Sequence, residues 1–371
     1  MLEAPCVLRI LAPAVMMTRA MICPRCRRVY ADRSYGFCPE DGARLVQTLS
    51  AAPPARPTRQ FGAVLEDRYV IQGFIGAGGM SRVYLAADSR TREQVAIKIL
   101  NRNFAADRAQ RARFLRELEV AAELGHPNII QVLDAGERAD GAPFIVLELL
   151  TGESVGALLR REGAVSEAMA LSLVRQAASA LAAAHAAGII HRDVKPDNMF
   201  FVSAGGGPRV LKMMDFGFAK VRSGPATATG IVLGTVPYMA PEQALADPID
   251  GRTDVYALGV TLFRMLTGEL PFSSPDDVVV VAQHACAPAP RLRALRPDID
   301  PRVEALVETA LRKLPGNRFD SMQSLLEDVE RILGVRAGEP VGAVLRKTPD
   351  AYEPVSPAAR EALKFLRRQL S

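Results

Sequence analysis

The sequence predicts an α+β fold, with strands first and helices after. Three observations carry that expectation. Short runs rich in β-branched and apolar residues crowd residues 67–150: Tyr69-Val70-Ile71, Val83-Tyr84-Leu85-Ala86, Val95-Ala96-Ile97-Lys98-Ile99-Leu100 and Pro143–Leu150. Apolar residues in helical steps, such as Leu171, Val174, Ala178 and Leu181, dominate from residue 151 to 334. Between Gly188-Ile189-Ile190 and Met199-Phe200-Phe201-Val202 lies a polar octamer, His191–Asn198. It reads as a loop held between two buried strand ends, stiffened by Pro196.

Residues 1–20 contain no clear element; they form a short disordered tail or precede a start at Met16, Met17 or Met21. Residues 21–47 hold Cys23-Pro24-Arg25-Cys26 and, eleven residues later, Cys38-Pro39-Glu40-Asp41-Gly42. Two tight turns that each present two ligands have the geometry of a zinc ribbon, with Asp41 standing where a fourth cysteine is usual. Cys23, Cys26, Cys38 and Asp41 are therefore expected to hold Zn²⁺, since so short a segment has too little core to fold unaided. A redox CxxC or unligated thiols are the alternatives, and Cys6 is a weaker fourth ligand. Cys286 is expected in the core. Residues 48–66 read as an extended, Pro-rich linker.

A hairpin comes next, its strands bracketing Ile75-Gly76-Ala77-Gly78-Gly79-Met80-Ser81. That turn has so little side-chain bulk that backbone amides can approach phosphates. Lys98 lies mid-strand, where an unpaired ammonium would be costly. A helix is expected over Asp107–Leu124, with Phe114, Leu118, Ala121 and Ala122 on one face. Glu117, near that face, is the candidate partner of Lys98, or else one solvated charge among Arg113, Arg116 and Glu119. Pro143–Leu150 is a buried strand that emerges at Thr151-Gly152. Residues 153–188 read as two helices, the second from Ser166 to Ala187, with His185 packed or capping. An apolar run ending at Met214 leads into Asp215-Phe216-Gly217. The stretch from Gly217 to Pro241 is poor in apolar residues as far as Thr229, which marks a candidate order–disorder switch. Asp254 opens a buried helix and can accept backbone amides there, those of the polar octamer included. Residues 335–371 form a tail, in which Pro357–Leu370 could make a basic amphipathic helix with Leu363, Leu366 and Leu370 on one face; packing on the domain or disorder outweighs a membrane role.

Phosphoryl transfer needs positioning and charge stabilisation more than covalent chemistry. Asp193 can orient a hydroxyl and accept its proton, Lys195 can neutralise charge on a phosphate in flight, and Asn198 offers an oxygen to a hard cation. The octamer resembles the catalytic loop of the protein kinase superfamily, and a lysine two residues after the aspartate resembles the serine/threonine branch. The Gly-rich turn, Lys98, Glu117, Asp193, Asn198, Asp215, Glu242, Asp254 and Arg318 follow in the family's order across residues 69–334. The chain thus resembles a bacterial Hanks-type (eukaryotic-like) serine/threonine protein kinase with an N-terminal zinc-ribbon-like segment.

The resemblance implies a bilobal protein-kinase fold, with a five-stranded lobe and one helix over residues 67–150 and a helical lobe over 151–334. It implies transfer of the γ-phosphoryl group of ATP, with Mg²⁺ or Mn²⁺, to protein serine or threonine hydroxyls. Lys98, paired with Glu117, would position the α/β-phosphates, and Asn198 and Asp215 would hold the metal. Ile75, Gly76, Ala77, Gly78, Gly79, Met80, Ser81, Arg82 and Val83 would cover the phosphates. Ala96, Leu147, Glu148, Leu150 and Phe200 would line the adenine pocket, Glu148 and Leu150 through backbone groups and Phe200 as its floor. Within the candidate switch, Thr227 and Thr229 are expected to be regulatory phosphosites received by Arg192, or else incidental threonines of a mobile loop. Thr235 would hydrogen-bond Asp193 and Lys195, and Glu242 and Arg318 would form a buried ion pair.

Charge and composition narrow the classes of function. Residues 1–60 carry nine arginines, no lysine and four acidic residues, so the whole formal charge of +5 resides there and the rest is neutral. A neutral body argues against nucleic acid as the main partner. No apolar run is long enough for a membrane span. Five cysteines, three of them clustered, point to metal in a reducing compartment, hence to the cytoplasm. Protein substrates are the expected partners, and a kinase homodimer is compatible with the chain. Two rival readings are a pseudokinase scaffold that binds ATP without turnover, which the intact Lys98, Asp193, Asn198 and Asp215 oppose, and an N-terminal ribbon that is itself the main binding module.

Overall fold

A computed structural model of the chain describes residues 20–22, 29–30, 46–48, 62–77, 81–101, 105, 111, 114, 124–202, 210–215 and 236–335. The chain divides into two compact units, residues 1–63 and 64–371. In the first, β1 (Ala20–Ile22), β2 (Val29–Tyr30) and β3 (Val46–Thr48) form an antiparallel sheet in the order β2-β1-β3. Cys23, Cys26, Cys38, Asp41 and Cys6 lie outside the described residues.

The second unit opens with β4 (Val64–Leu65), β5 (Tyr69–Ala77), β6 (Ser81–Asp88), β7 (Gln94–Leu100), β8 (Val132–Glu137) and β9 (Pro143–Glu148). They form one six-stranded sheet in the order β4-β5-β6-β7-β9-β8, one strand more than the resemblance implies. The extra edge strand β4 falls inside the stretch expected to be linker, so this unit starts at Val64. Its turn explains why it is hard to foresee: Glu66 and Asp67 are polar, adopt φ of 48° and 51°, and resemble loop sequence. Arg68 then pins the corner, holding Asp88 at 2.6 Å and Asp134 at 2.8 Å, while the Tyr69 hydroxyl donates to Asp134 at 2.7 Å. The last strand is also shorter than expected, ending at Glu148 rather than Leu150.

Arg111, Phe114 and Leu124 are helical, as the spacing predicts, Ala105 is helical ahead of the expected start at Asp107, and Phe114 is buried. Arg111 ties this helix to the turn between β8 and β9, donating to Gly141 O at 2.8 Å and pairing with Glu137. Then β10 (Gly152–Ser154) leads into α1 (Val155–Glu162) and α2 (Glu167–Ala186). The Ser154 and Ser166 hydroxyls accept from Ala157 N and Met169 N, so both helices start at side-chain caps. The remaining helices are α3 (Pro241–Leu245), α4 (Arg252–Thr267), α5 (Asp277–Cys286), α6 (Leu292–Leu295), α7 (Pro301–Ala310) and α8 (Met322–Leu333). The alanine-rich α2 packs against α4 and α8, its small side chains allowing close approach. Almost all of α4 is buried, and Gly259 is required there: a Cβ at that position would sit 2.7 Å from Ala310 Cβ on α7.

Two expectations are corrected in this half. Cys286 is exposed at the end of α5, because the buried positions of that helix are Val280 and His284. Ile189 and Ile190 form no strand; the polar loop hangs between the end of α2 and β11 (Met199–Val202). With β12 (Val210–Met213), β11 and β10 make a small sheet in the order β10-β11-β12. Among the described residues, no helix is long and apolar enough to cross a membrane.

Candidate active site

The polar loop is built by its neighbours more than by its own secondary structure. Asp254, wholly buried in the first turn of α4, turns its carboxylate away from its own helix. Its Oδ2 accepts from His191 N and its Oδ1 from Arg192 N, both at 2.8 Å. His185 adds a 2.7 Å contact from its Nε2 to the same Oδ2, which is the packing role expected of it. Gln243 on α3 donates to Arg192 O at 3.1 Å. Held from these sides, Arg192 adopts φ of 64°, a left-handed conformation that a non-glycine residue rarely takes without such support.

Beyond that anchor the functional side chains converge. Lys195 Nζ lies 2.8 Å from Asp193 Oδ2. Asn198 Nδ2 donates to Asp193 O at 2.8 Å and to Asp193 Oδ2 at 3.1 Å. Both of these Asn198 bonds use the amide nitrogen, so the amide oxygen is the atom left to face a cation. The backbone then carries this group to a second one. Met214 N donates to Asn198 O at 2.9 Å, and the His191 ring Nε2, which must carry the proton, donates to Met214 O at 3.1 Å. The next residue, Asp215, has φ of 53° and places Oδ1 2.7 Å from Lys98 Nζ. Burial holds the His191 imidazole below its ordinary pKa despite the nearby Asp254 and Asp193, so it stays a neutral spacer at pH 7.

Lys98 lies in the middle of β7. Its cross-strand neighbours are Val83 on β6 and Ile145 on β9, and Ala96, two residues back on the same face, stands opposite Leu147. Ile75 is exposed near the end of β5, and Arg82 is exposed at the start of β6 beside the buried Ser81. Gly76 and Ala77 complete β5, where Gly76 faces Val83 and Ala77 faces Arg82. Leu147, Glu148, Leu150 and Phe200 are all part-exposed, and Phe200 sits on β11 opposite Lys212. Gly78, Gly79, Met80, Glu117, Thr227, Thr229 and Thr235 lie outside the described residues, as do Phe216 and Gly217.

The donor set suits a hard divalent cation: an amide oxygen on Asn198 and a carboxylate on Asp215, which is 56% exposed and paired with the Lys98 ammonium. Glu242 and Arg318 pair where the resemblance places them, at 2.8 Å, beneath the loop. Sequence reasoning missed the roles of Gln243, Met214 and the ring of His191. Only the last could have been inferred, because a histidine flanked by apolar residues and a charged loop needs polar partners when buried.

Comparisons with known proteins fit this geometry. A family model described as protein kinase domain matches residues 69–329. The chain is 38% identical over 278 residues to serine/threonine-protein kinase pkn3 of Myxococcus xanthus, covering 73% of this chain and 51% of that protein. It is 38% identical over 309 residues to serine/threonine-protein kinase PknB of Mycobacterium tuberculosis, covering 81% of this chain and 46% of PknB. The chain therefore spans about half the length of these curated relatives. Among solved structures, the Mycobacterium tuberculosis PknI kinase domain is 30% identical with a TM-score of 0.58, and the match covers 74% of this chain and 99% of that one.

Proposed function

The chain belongs to the protein kinase family, and on that premise we propose that it transfers the γ-phosphoryl group of Mg·ATP to serine or threonine hydroxyls of proteins. One observation carries this reading: Asp193, Lys195 and Asn198 form one hydrogen-bonded group, and Met214, bonded to Asn198, joins it to the Lys98–Asp215 pair. Asp193 orients the acceptor hydroxyl and takes its proton as the phosphorus–oxygen bond forms. Lys195, already on the Asp193 carboxylate, meets the charge that develops on the transferred group. Lys98, now on Asp215, would turn to the α/β-phosphates of a bound nucleotide, and the Asp215 carboxylate would then be available to a metal. Asn198 and Asp215 would supply the protein's oxygens to Mg²⁺ or Mn²⁺, whose charge would offset that of the nucleotide's phosphates. The backbone of Glu148 and Leu150 meets adenine, with Phe200 below it.

Regulation by phosphorylation at Thr227 or Thr229 belongs to the same proposal. Its support is Arg192, whose Nε is buried without a hydrogen-bond partner among the described residues, one position before the catalytic aspartate. A phosphate on the loop would supply that partner. Incubating the purified protein with labelled Mg·ATP and mapping the acid-stable phosphosites tests both parts. We expect labelled threonine at 227 or 229; no transfer to itself or to a generic protein substrate would end the proposal. A rate that rises with the square of enzyme concentration would mark transfer between two copies that meet in solution, whereas a stable homodimer would give a rate linear in enzyme.

The N-terminal unit is proposed to be a zinc ribbon. The three-stranded sheet supports this, since Cys23 and Cys26 fall between β1 and β2, and Cys38 and Asp41 between β2 and β3. Metal analysis should find about one zinc per chain, lost in the Cys23→Ser/Cys26→Ser variant; a chain free of zinc from the start would refute it. Reduced thiols of this kind fit a cytoplasmic protein.

A further inference from the structure

Glu148 ends β9 at the rim where adenine is proposed to bind, and both its backbone and its side chain are engaged with the neighbouring segment. Its N–H donates to Gln131 O at 3.0 Å, and its Oε1 accepts from Gln131 N at 2.8 Å. The same segment grips β12 a few residues earlier: Met213 N donates to Asn128 O at 2.7 Å, and Ile130 N donates to Met213 O at 3.0 Å. Lys212, next to Met213 on β12, closes the triangle by placing Nζ 2.7 Å from Glu148 Oε1. The two side chains are only 14% and 24% exposed, so the pair is shielded from much of the solvent screening that weakens surface ion pairs. His126 also faces Lys212. Burial, reinforced by the lysine's charge, holds that imidazole below its ordinary pKa, so it does not compete for Glu148 as a cation at pH 7.

The position of β12 matters at both ends of a nucleotide. Phe200, the proposed adenine floor, stands opposite Lys212 across the β11–β12 ladder. Asp215, the proposed metal ligand, follows Lys212 by three residues. A shift of β12 against β9 therefore changes the distance from the adenine rim to the metal site, which a bound triphosphate must span. We propose that Lys212 is a positioning residue for the nucleotide: its ion pair with Glu148 is a strut that sets the spacing between the adenine-facing backbone at 148–150 and Asp215. The inference rests on the kinase reading above. It adds a residue that touches neither the transferred phosphoryl group nor the acceptor.

The test is direct nucleotide binding, measured with a fluorescent ADP analogue plus Mg²⁺, alongside kinetics at varied ATP and a thermal melt for each variant. Lys212→Met and Glu148→Gln should each weaken nucleotide binding and raise KM for ATP by about five- to tenfold, with kcat at saturating ATP within about twofold. The double variant should be no worse than the poorer single, because either change already breaks the strut. Lys212→Arg, which keeps the charge, should stay within about threefold of wild type. Wild-type nucleotide affinity in Lys212→Met, whatever its melting temperature, would overturn the strut, and so would single effects that multiply in the double. Should Lys212→Met fail to fold, Glu148→Gln and Lys212→Arg decide on the same criteria. If the wild-type protein itself neither binds nucleotide nor transfers phosphate, the kinase reading falls and the strut with it; a wild type that does both leaves the variants to judge the strut alone.

Discussion

Replacing Asp193 by asparagine is expected to slow phosphoryl transfer by about 10²–10⁴-fold, the usual worth of a positioned general base. The substitution is nearly isosteric. Its backbone carbonyl still receives Asn198 Nδ2, and its amide oxygen still accepts the second bond from that nitrogen. What disappears is the carboxylate's basicity and its charge partnership with Lys195. Nucleotide affinity should change by no more than about twofold, because the proposed phosphate and metal contacts belong to Lys98, Asn198 and Asp215. The pair of measurements, kcat and nucleotide Kd, separates a base from a structural residue. Equal turnover in wild type and Asp193→Asn would support a scaffold that binds ATP without catalysis.

The second large effect concerns stability. The Arg318 side chain is fully buried, and each of its donors has an acceptor. Nε donates to Arg312 O at 2.7 Å, Nη1 to Glu242 Oε1 at 2.8 Å and Arg252 O at 2.9 Å, and Nη2 to Glu242 Oε2 and Lys313 O at 2.8 Å. Thr253 gives Glu242 Oε1 a further hydrogen bond at 2.8 Å. Arg318→Met would leave a buried carboxylate without its cation and three carbonyls without a donor. We expect a loss of about 3–5 kcal/mol, near 10 °C in melting temperature for a domain of this size. A double variant with Glu242→Leu should recover a good part of it, since an apolar replacement carries no stranded charge.

The pH dependence gives this second prediction a sign. Burial pushes the Glu242 carboxyl up, but the Arg318 bonds outweigh it and hold the group below its ordinary 4.5. A depressed folded-state pKa contributes stability that is present above 4.5 and lost as pH falls through the folded value. In Arg318→Met the balance reverses, because burial then acts nearly alone and raises the pKa above 4.5. Stability of the variant should therefore increase as pH falls from 7 toward 5, where wild type gains nothing from this group. Melting temperatures at pH 7 and 5 check the reversal; parallel curves for the two proteins would contradict it.

Much of the site was legible in the sequence because its residues sit in short motifs whose order along the chain is itself informative. The octamer from His191 to Asn198 supplies three of the five convergent side chains, Asp193, Lys195 and Asn198, by proximity alone. Asp254 was readable as an amide acceptor because an aspartate opening an apolar helix has few other uses. Contacts between residues far apart in sequence were not readable. Glu148 and Lys212 are separated by 64 positions, and nothing in either strand marks the other as its partner. The same holds for Lys98, whose contact with Asp215 depends on how Met214 is held between Asn198 and His191. Fold errors came from local ambiguity. Glu66 and Asp67 look like linker yet form the turn that adds β4, whereas the apolar Ile189-Ile190 looks like strand yet pairs with no strand among the described residues.

The central claim is that Lys98, Asp193, Asn198 and Asp215 serve one metal–triphosphate site. A crystal structure with Mg²⁺ and a non-hydrolysable ATP analogue tests it most directly. We expect oxygens of Asn198 and Asp215 on the ion at about 2.1 Å, Lys98 moved from Asp215 to the α/β-phosphates, and the γ-phosphate facing Asp193. A nucleotide bound elsewhere, or one in the cleft with Lys98 still on Asp215 and neither oxygen on the metal, would contradict it.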